Sequence, residues 1–240
     1  MKIAILQHYR LNSALNKTNT AYEKNLIAFI ATIFKTFTYQ YFDVISGKYP
    51  LNINEYDLYI FPGSAASTYE DLPWISKECQ FIKTLHQHRR PMLGLCFGHQ
   101  MISQALGGKV QPCPFKWQGG IQTYDIIGAE PWMKPIVSKF NAYTAHQDYV
   151  SIKPPNAAIF GSNSKCPIAG FSILNHILSF QMHPEINKQI MESFMAVSLK
   201  KNISNKHGIA SAQKTLGLQP DKGIIGSWIN QFFSAYHASH

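Results

Sequence analysis

Two short segments carry the residue types and spacing needed for nucleophilic chemistry. In Gly94-Leu95-Cys96-Phe97-Gly98-His99-Gln100 a thiol stands with a glycine two residues away on either side. A tight, strained strand-to-helix turn needs small residues at those positions, because strand and helix pack closely behind the nucleophile. A thiol presented there meets the positive end of the helix macrodipole, which favours the thiolate. The second segment is Ser179-Phe180-Gln181-Met182-His183-Pro184-Glu185. A nucleophilic cysteine needs a base within hydrogen-bond reach, and the base needs an orienting group. Residues two apart in an extended chain share a side, so Glu185 can accept a hydrogen bond from the His183 ring. Pro184 stiffens the connection.

Each of these residues also has a plainer reading. Cys96 alone could be a buried core cysteine, and His183 a structural histidine at a strand end. The strand–turn–helix context and the pairing with Glu185 favour catalysis. Cys79, Cys113 and Cys166 have no base motif beside them and read as structural. His99 is expected to pack behind the turn. His86 and His88 sit two apart on a helix, face different sides, and make a poor metal pair. Trp117, with Gly119 and Gly120, reads either as a loop over a cleft or as packing. No CxxC pair and no glycine-rich phosphate loop is present, so neither a metal nor a nucleotide cofactor is expected.

The elements around these segments alternate. Apolar runs at 2–7, 57–61 and 92–95 read as buried strands, and 38–44 as an aromatic, β-branched strand. Helical spacing covers 19–34, 74–88 and 97–106, and Pro62-Gly63-Ser64 is turn chemistry after the third strand. This rhythm predicts an α/β fold, a flavodoxin-like three-layer sandwich with a mainly parallel central sheet. Short strands expected at 109–110, 121–127, 157–161, 168–173 and 177–181 add a smaller antiparallel region. Helices are expected at 186–199 and 224–236. One domain over residues 1–199 with a helical extension of the same unit over 200–240 is the expected organisation.

Composition narrows the function classes. The chain has 240 residues, 45% hydrophobic and 15% charged, enough for a substantial core and too apolar for disorder. Its net charge of +9 comes from 22 Lys+Arg against 13 Asp+Glu. The basic residues are mostly lysines scattered along the chain, which argues for a solvated surface rather than a nucleic-acid groove. The apolar runs stop well short of about 18 residues, so no membrane span is expected, and no secretory signal opens the chain. A soluble cytoplasmic protein with free thiols is expected.

Taken together, the two segments resemble the class I glutamine amidotransferase family and its γ-glutamyl hydrolase relatives. GLCFGHQ matches the family's G-x-C-x-G-x-Q motif and QMHPE its H-P-E motif, in the family's order and about ninety residues apart. Phe61-Pro62-Gly63-Ser64 resembles the oxyanion-loop segment. GSAASTYEDLPWI is similar to stand-alone members resembling the amidotransferase domain of GMP synthase, and Ala145 to Val150 matches another recurring stretch. The resemblance implies that Cys96 attacks a γ-carbonyl to form a thioester, that His183 handles the proton, and that Glu185 orients His183. It implies an oxyanion hole of the Gly63 and Phe97 amides, and substrate contacts from Gln100, Ala145 and His146. The sequence departs from the pattern in its PGS loop, where many members carry more glycines, and in Ala145, where a small hydroxyl residue is common.

The leading expectation is hydrolysis of glutamine with ammonia passed to a separate synthetase subunit. A partner-free hydrolase of γ-glutamyl peptides or compounds is the alternative. A third reading, a non-catalytic binding protein on the same fold, sits poorly with an intact Cys96, His183 and Glu185. No nucleic-acid or membrane partner is expected.

Overall fold

The computed structural model describes residues 1–9, 16–202, 204 and 206–239. Its first strand, β1 (Lys2–Gln7), shows how the layers arise. Alternate residues of a strand face opposite sides. Ile3 and Ile5 therefore enter one apolar cluster with Leu26, Ile30, Trp228 and Phe233. Ala4 and Leu6 enter another with Ile82, Leu85, Met101 and Ile102. A strand covered on both faces must be apolar throughout, as KIAILQ is. The first cluster is closed by helices α1 (Asn16–Ile33) and α6 (Lys222–Ala238), the second by α2 (Pro73–Gln87) and α3 (Phe97–Ala105).

The remaining strands are β2 (Thr38–Asp43), β3 (Leu58–Phe61), β4 (Met92–Leu95), β5 (Lys109–Pro112), β6 (Gln118–Ile126), β7 (Lys139–His146), β8 (Asp148–Ile152), β9 (Ala157–Asn163), β10 (Cys166–Ile173) and β11 (Ile177–Phe180). Nine of the strands form one sheet in the order β2-β1-β3-β4-β11-β10-β9-β6-β7, while β5 and β8 pair separately. The part from β2 to β11 is parallel, and the remainder is antiparallel. This is the expected α/β sandwich, helices on both faces of a sheet whose core is parallel. The antiparallel part curls round, so that β7 reaches the segment after β11 through a bridge between Tyr143 and His183.

Four elements differ from the sequence expectation. β7 and β8 were not foreseen as strands, because polar Asn141 and Thr144 interrupt the apolar pattern; Thr144 is nevertheless buried, bonded to Tyr124. Helix α5 (Lys206–Lys214) buries only Ala212 and so shows no apolar stripe. The helix expected from residue 186 begins at Lys188 as α4 (Lys188–Lys200), because the Asn187 side chain caps it by accepting from Ile190 N at 3.0 Å. Within the extension after 199, α6 contributes Ile225, Trp228, Ile229 and Phe233 to the same core as β1. No helix among the described residues is long and apolar enough to cross a membrane.

Candidate active site

Ligands of doubly wound sheets bind beyond the carboxyl ends of the strands. At that edge His8 follows β1, Gly63 follows β3, Cys96 follows β4 and His183 follows β11, and all four line one cavity of about 430 Å³.

Cys96 is the N-cap of α3, with φ 52° and ψ −103°. A non-glycine residue in that region carries on the order of 1–3 kcal/mol of strain and persists only where its surroundings hold it. They do so here: Cys96 N donates to Phe180 O at 2.8 Å, and Cys96 O accepts from Gln100 N at 3.1 Å. The turn also needs Gly98, since a Cβ there would lie 1.9 Å from the Phe61 carbonyl oxygen. The thiol is buried, within 3.8 Å of Ala145 O and 3.7 Å of Gln181 Nε2.

His183 is held by its own amide, which donates to Tyr143 O at 2.8 Å. Its Nδ1 donates to Glu185 Oε1 at 2.7 Å, leaving Nε2 available to the neighbouring Cys96. Burial works against the charged ring, but the neighbouring Cys96 and Glu185 outweigh it and hold the His183 pKa well above the usual histidine value. Glu185 Oε1 also accepts from the Tyr22 hydroxyl at 2.9 Å, and its buried Oε2 has no partner among the described residues. Tyr22 was not foreseen. It sits on α1 four residues before Leu26, a spacing that signals only core.

The other residues anticipated from sequence lie around this triad in different states. Gly63 abuts His183: a Cβ there would stand 3.0 Å from His183 Cε1. Its amide donates to the Tyr22 hydroxyl at 3.1 Å. The Phe97 amide, at the first position of α3, has no acceptor within its own helix. Gln100 spends its amide group on the scaffold, donating to Asp148 O at 2.8 Å and Gln181 Oε1 at 3.1 Å. Ala145 offers its carbonyl to the thiol. His146 donates from Nδ1 to Asp148 O at 2.8 Å, and burial pushes its pKa down to about 4. The ring is therefore neutral, with Nε2 a buried acceptor that has no partner among the described residues.

Asp148 accepts from Ser67 Oγ at 2.5 Å and Tyr69 Oη at 2.9 Å. His99 packs behind the turn, bonded to Ser179 Oγ and Ile168 O. Aromatic side chains, among them Tyr9, Trp74, Trp117 and Phe194, line part of the cavity, beside polar residues such as Thr18, Ser64 and Lys201. Among the described residues, no three His, Cys, Asp or Glu side chains are grouped to hold a metal ion.

Comparison with known proteins agrees in direction. The profile of the family described as glutamine amidotransferase class-I matches residues 20–199. The chain is 33% identical over 156 residues to gamma-glutamyl peptidase 2 of Arabidopsis thaliana, a match covering 62% of each protein. It thus spans less than two thirds of that relative's length. It is 29% identical over 130 residues to the glutamine-hydrolyzing GMP synthase of Caldanaerobacter subterraneus subsp. tengcongensis, covering 53% of this chain and 24% of the synthase. A glutamine amidotransferase structure from Thermotoga maritima superposes with a TM-score of 0.71 over 97% of both chains, at 19% identity, which is a likeness of fold.

Proposed function

The chain belongs to the glutamine amidotransferase class-I family, and from that premise we propose that it hydrolyses the γ-glutamyl C–N bond of a γ-glutamyl peptide or conjugate. The observation that carries the reading is the buried relay of Cys96, His183 and Glu185 at the carboxyl edge of the sheet.

In this mechanism His183 Nε2 takes the thiol proton and Cys96 Sγ attacks the γ-carbonyl carbon. The negative charge on the carbonyl oxygen is met by the Gly63 and Phe97 amides, the oxygen taking the place of the Tyr22 hydroxyl at Gly63. His183 then protonates the leaving nitrogen, the C–N bond breaks, and a γ-glutamyl thioester remains. Water, deprotonated by His183, attacks the thioester and frees glutamate and the Cys96 thiol. His146 Nε2 supplies an acceptor for a substrate N–H, and the chain at Ala145 borders the reacting carbon. Residues 1–199 act as the catalytic unit and 200–240 as its extension.

Two observations favour a leaving group larger than ammonia. A cavity of this volume suits ligands well beyond a single amino acid, and its aromatic wall offers such a group apolar surface. The likeness to a gamma-glutamyl peptidase points the same way. A second reading, glutamine as substrate with ammonia passed to a separate synthetase subunit, draws on the likeness to GMP synthase.

Glutamate release from a γ-glutamyl dipeptide and from glutamine separates the two. Faster release from the dipeptide is the expected result. Release from glutamine alone, with stoichiometric ammonia, would move the assignment to the second reading, and release from neither would overturn both.

The Glu185 role has its own test. Glu185→Gln is expected to lower turnover by about 10²–10⁴, less than His183→Ala, because orientation is lost but the base remains. A carboxylate favours the charged imidazole, so its removal moves the His183 titration to lower pH, readable by NMR. An unmoved titration would detach Glu185 from the ring.

A further inference from the structure

A second histidine–glutamate pair lies on the far side of the loop that carries Gly63. His8 and Glu78 are wholly buried, with His8 Nε2 2.5 Å from Glu78 Oε1. The other ring nitrogen, Nδ1, is 3.0 Å from the Pro62 carbonyl oxygen. A carbonyl can only accept, so Nδ1 carries a proton and donates it. Phe97 and Trp74 pack against the ring at centroid distances of 5.0 and 6.0 Å. Burying polar groups has a desolvation cost even when they are hydrogen-bonded to one another, and apolar residues could fill the same space without that cost. A pair kept here needs a reason other than stability.

The loop supplies that reason. The Pro62 carbonyl and the Gly63 N–H belong to one peptide plane, and in a trans peptide they point in opposite directions. The carbonyl is held by His8 Nδ1 and by Gly98 N at 3.2 Å. The amide therefore faces the other way, where Tyr22 takes it beside His183. Residue 8 grips the loop a second time, as His8 O accepts from Ser64 Oγ at 2.9 Å.

We propose that His8 and Glu78 are positioning residues for the oxyanion loop: Glu78 fixes the imidazole, the imidazole holds the Pro62 carbonyl, and the Gly63 amide is thereby aimed at the reacting carbonyl. This rests on the reading of Gly63 as an oxyanion donor. A peptide free to rotate would lose that donor without disturbing Cys96 or His183.

The test pairs His8→Leu, which removes the donor, with His8→Asn, whose amide can still reach Pro62. Loss of one oxyanion donor typically costs about 10²–10³ in rate. His8→Leu is expected to lose kcat on that scale with KM within a few fold, and His8→Asn to recover most of it. Alkylation of Cys96 by iodoacetamide, followed on the Cys96 peptide by mass spectrometry, forms no tetrahedral oxyanion and should keep its rate in both variants. Turnover and alkylation falling together would overturn the proposal, as would unchanged kcat in His8→Leu.

The Gly63 amide resonance reads the peptide orientation with no substrate at all. A shift in His8→Leu that His8→Asn restores supports the proposal, and an unmoved resonance overturns it, even if the wild-type protein turns over no γ-glutamyl compound and the functional reading itself falls. Should His8→Leu fail to fold, Glu78→Leu, which leaves the ring unanchored, is expected to show the same pattern, and its absence there would be equally decisive.

Discussion

Cys96→Ala is expected to abolish glutamate release, by about 10⁴–10⁶ relative to the parent, while the protein stays folded. Removal of the nucleophile of such a triad costs about as much as removal of the whole triad, since base and orienting carboxylate then have nothing to activate. The substitution is mild for the fold. Alanine keeps the Cβ at φ 52°, so the strain of the turn is unchanged, and both backbone bonds, to Phe180 and Gln100, remain. What is lost is one buried sulfur and its contacts with Ala145 O and Gln181. The check is turnover per folded molecule, with near-ultraviolet dichroism reporting packing. Residual activity above about a hundredth of the parent would remove Cys96 from its role and leave the cavity without a nucleophile.

Gly98→Ala is expected to act through the scaffold. The added methyl would meet backbone, with the Phe61 oxygen at 1.9 Å and its carbonyl carbon at 2.5 Å. Neither can rotate aside as a side chain would. The first turn of α3 must lift from β3, which breaks the Gly98 N–Pro62 O bond and carries Cys96 away from Gly63. Overpacking a buried contact costs about 1–3 kcal/mol, and a clash with backbone belongs at or above the top of that range. Activity should fall with it, because the thiol and both expected oxyanion donors move relative to one another. A denaturant midpoint lowered at unchanged slope would report the loss as stability. A change below about 1 kcal/mol with full activity would mean that α3 and β3 do not approach this closely.

Much of this arrangement could be read from local pattern. KIAILQ reads as a short buried strand, and the glycines around Cys96 signal the turn that Gly98 makes necessary. His183 and Glu185 stand two residues apart, so their hydrogen bond was within reach of sequence reasoning. What escaped depends on contacts between distant parts of the chain. Tyr22 meets Glu185 across 163 positions and His8 meets Glu78 across 70; neither pair carries a local signature. The expected oxyanion amide of Gly63 was visible as a turn, but its bond to Tyr22 was not. β7 was hidden because its inward residues include Thr144 and His146, whose burial is tolerated through bonds to Tyr124 and the Asp148 carbonyl.

The pairing of β4 with β11 has a consequence for how the protein is born. These strands are hydrogen-bonded neighbours, Met92 opposite Ile177 and Leu95 opposite Phe180, yet residues 96–176 lie between them in the chain. At about 5–20 residues per second during synthesis, Cys96 leaves the ribosome on the order of four to seventeen seconds before His183. Throughout that interval the nascent chain carries its thiol without the proposed base beside it. Under the proposed mechanism, hydrolysis therefore awaits the closing of the sheet, and a ribosome-bound fragment ending before residue 183 is expected to leave γ-glutamyl compounds untouched.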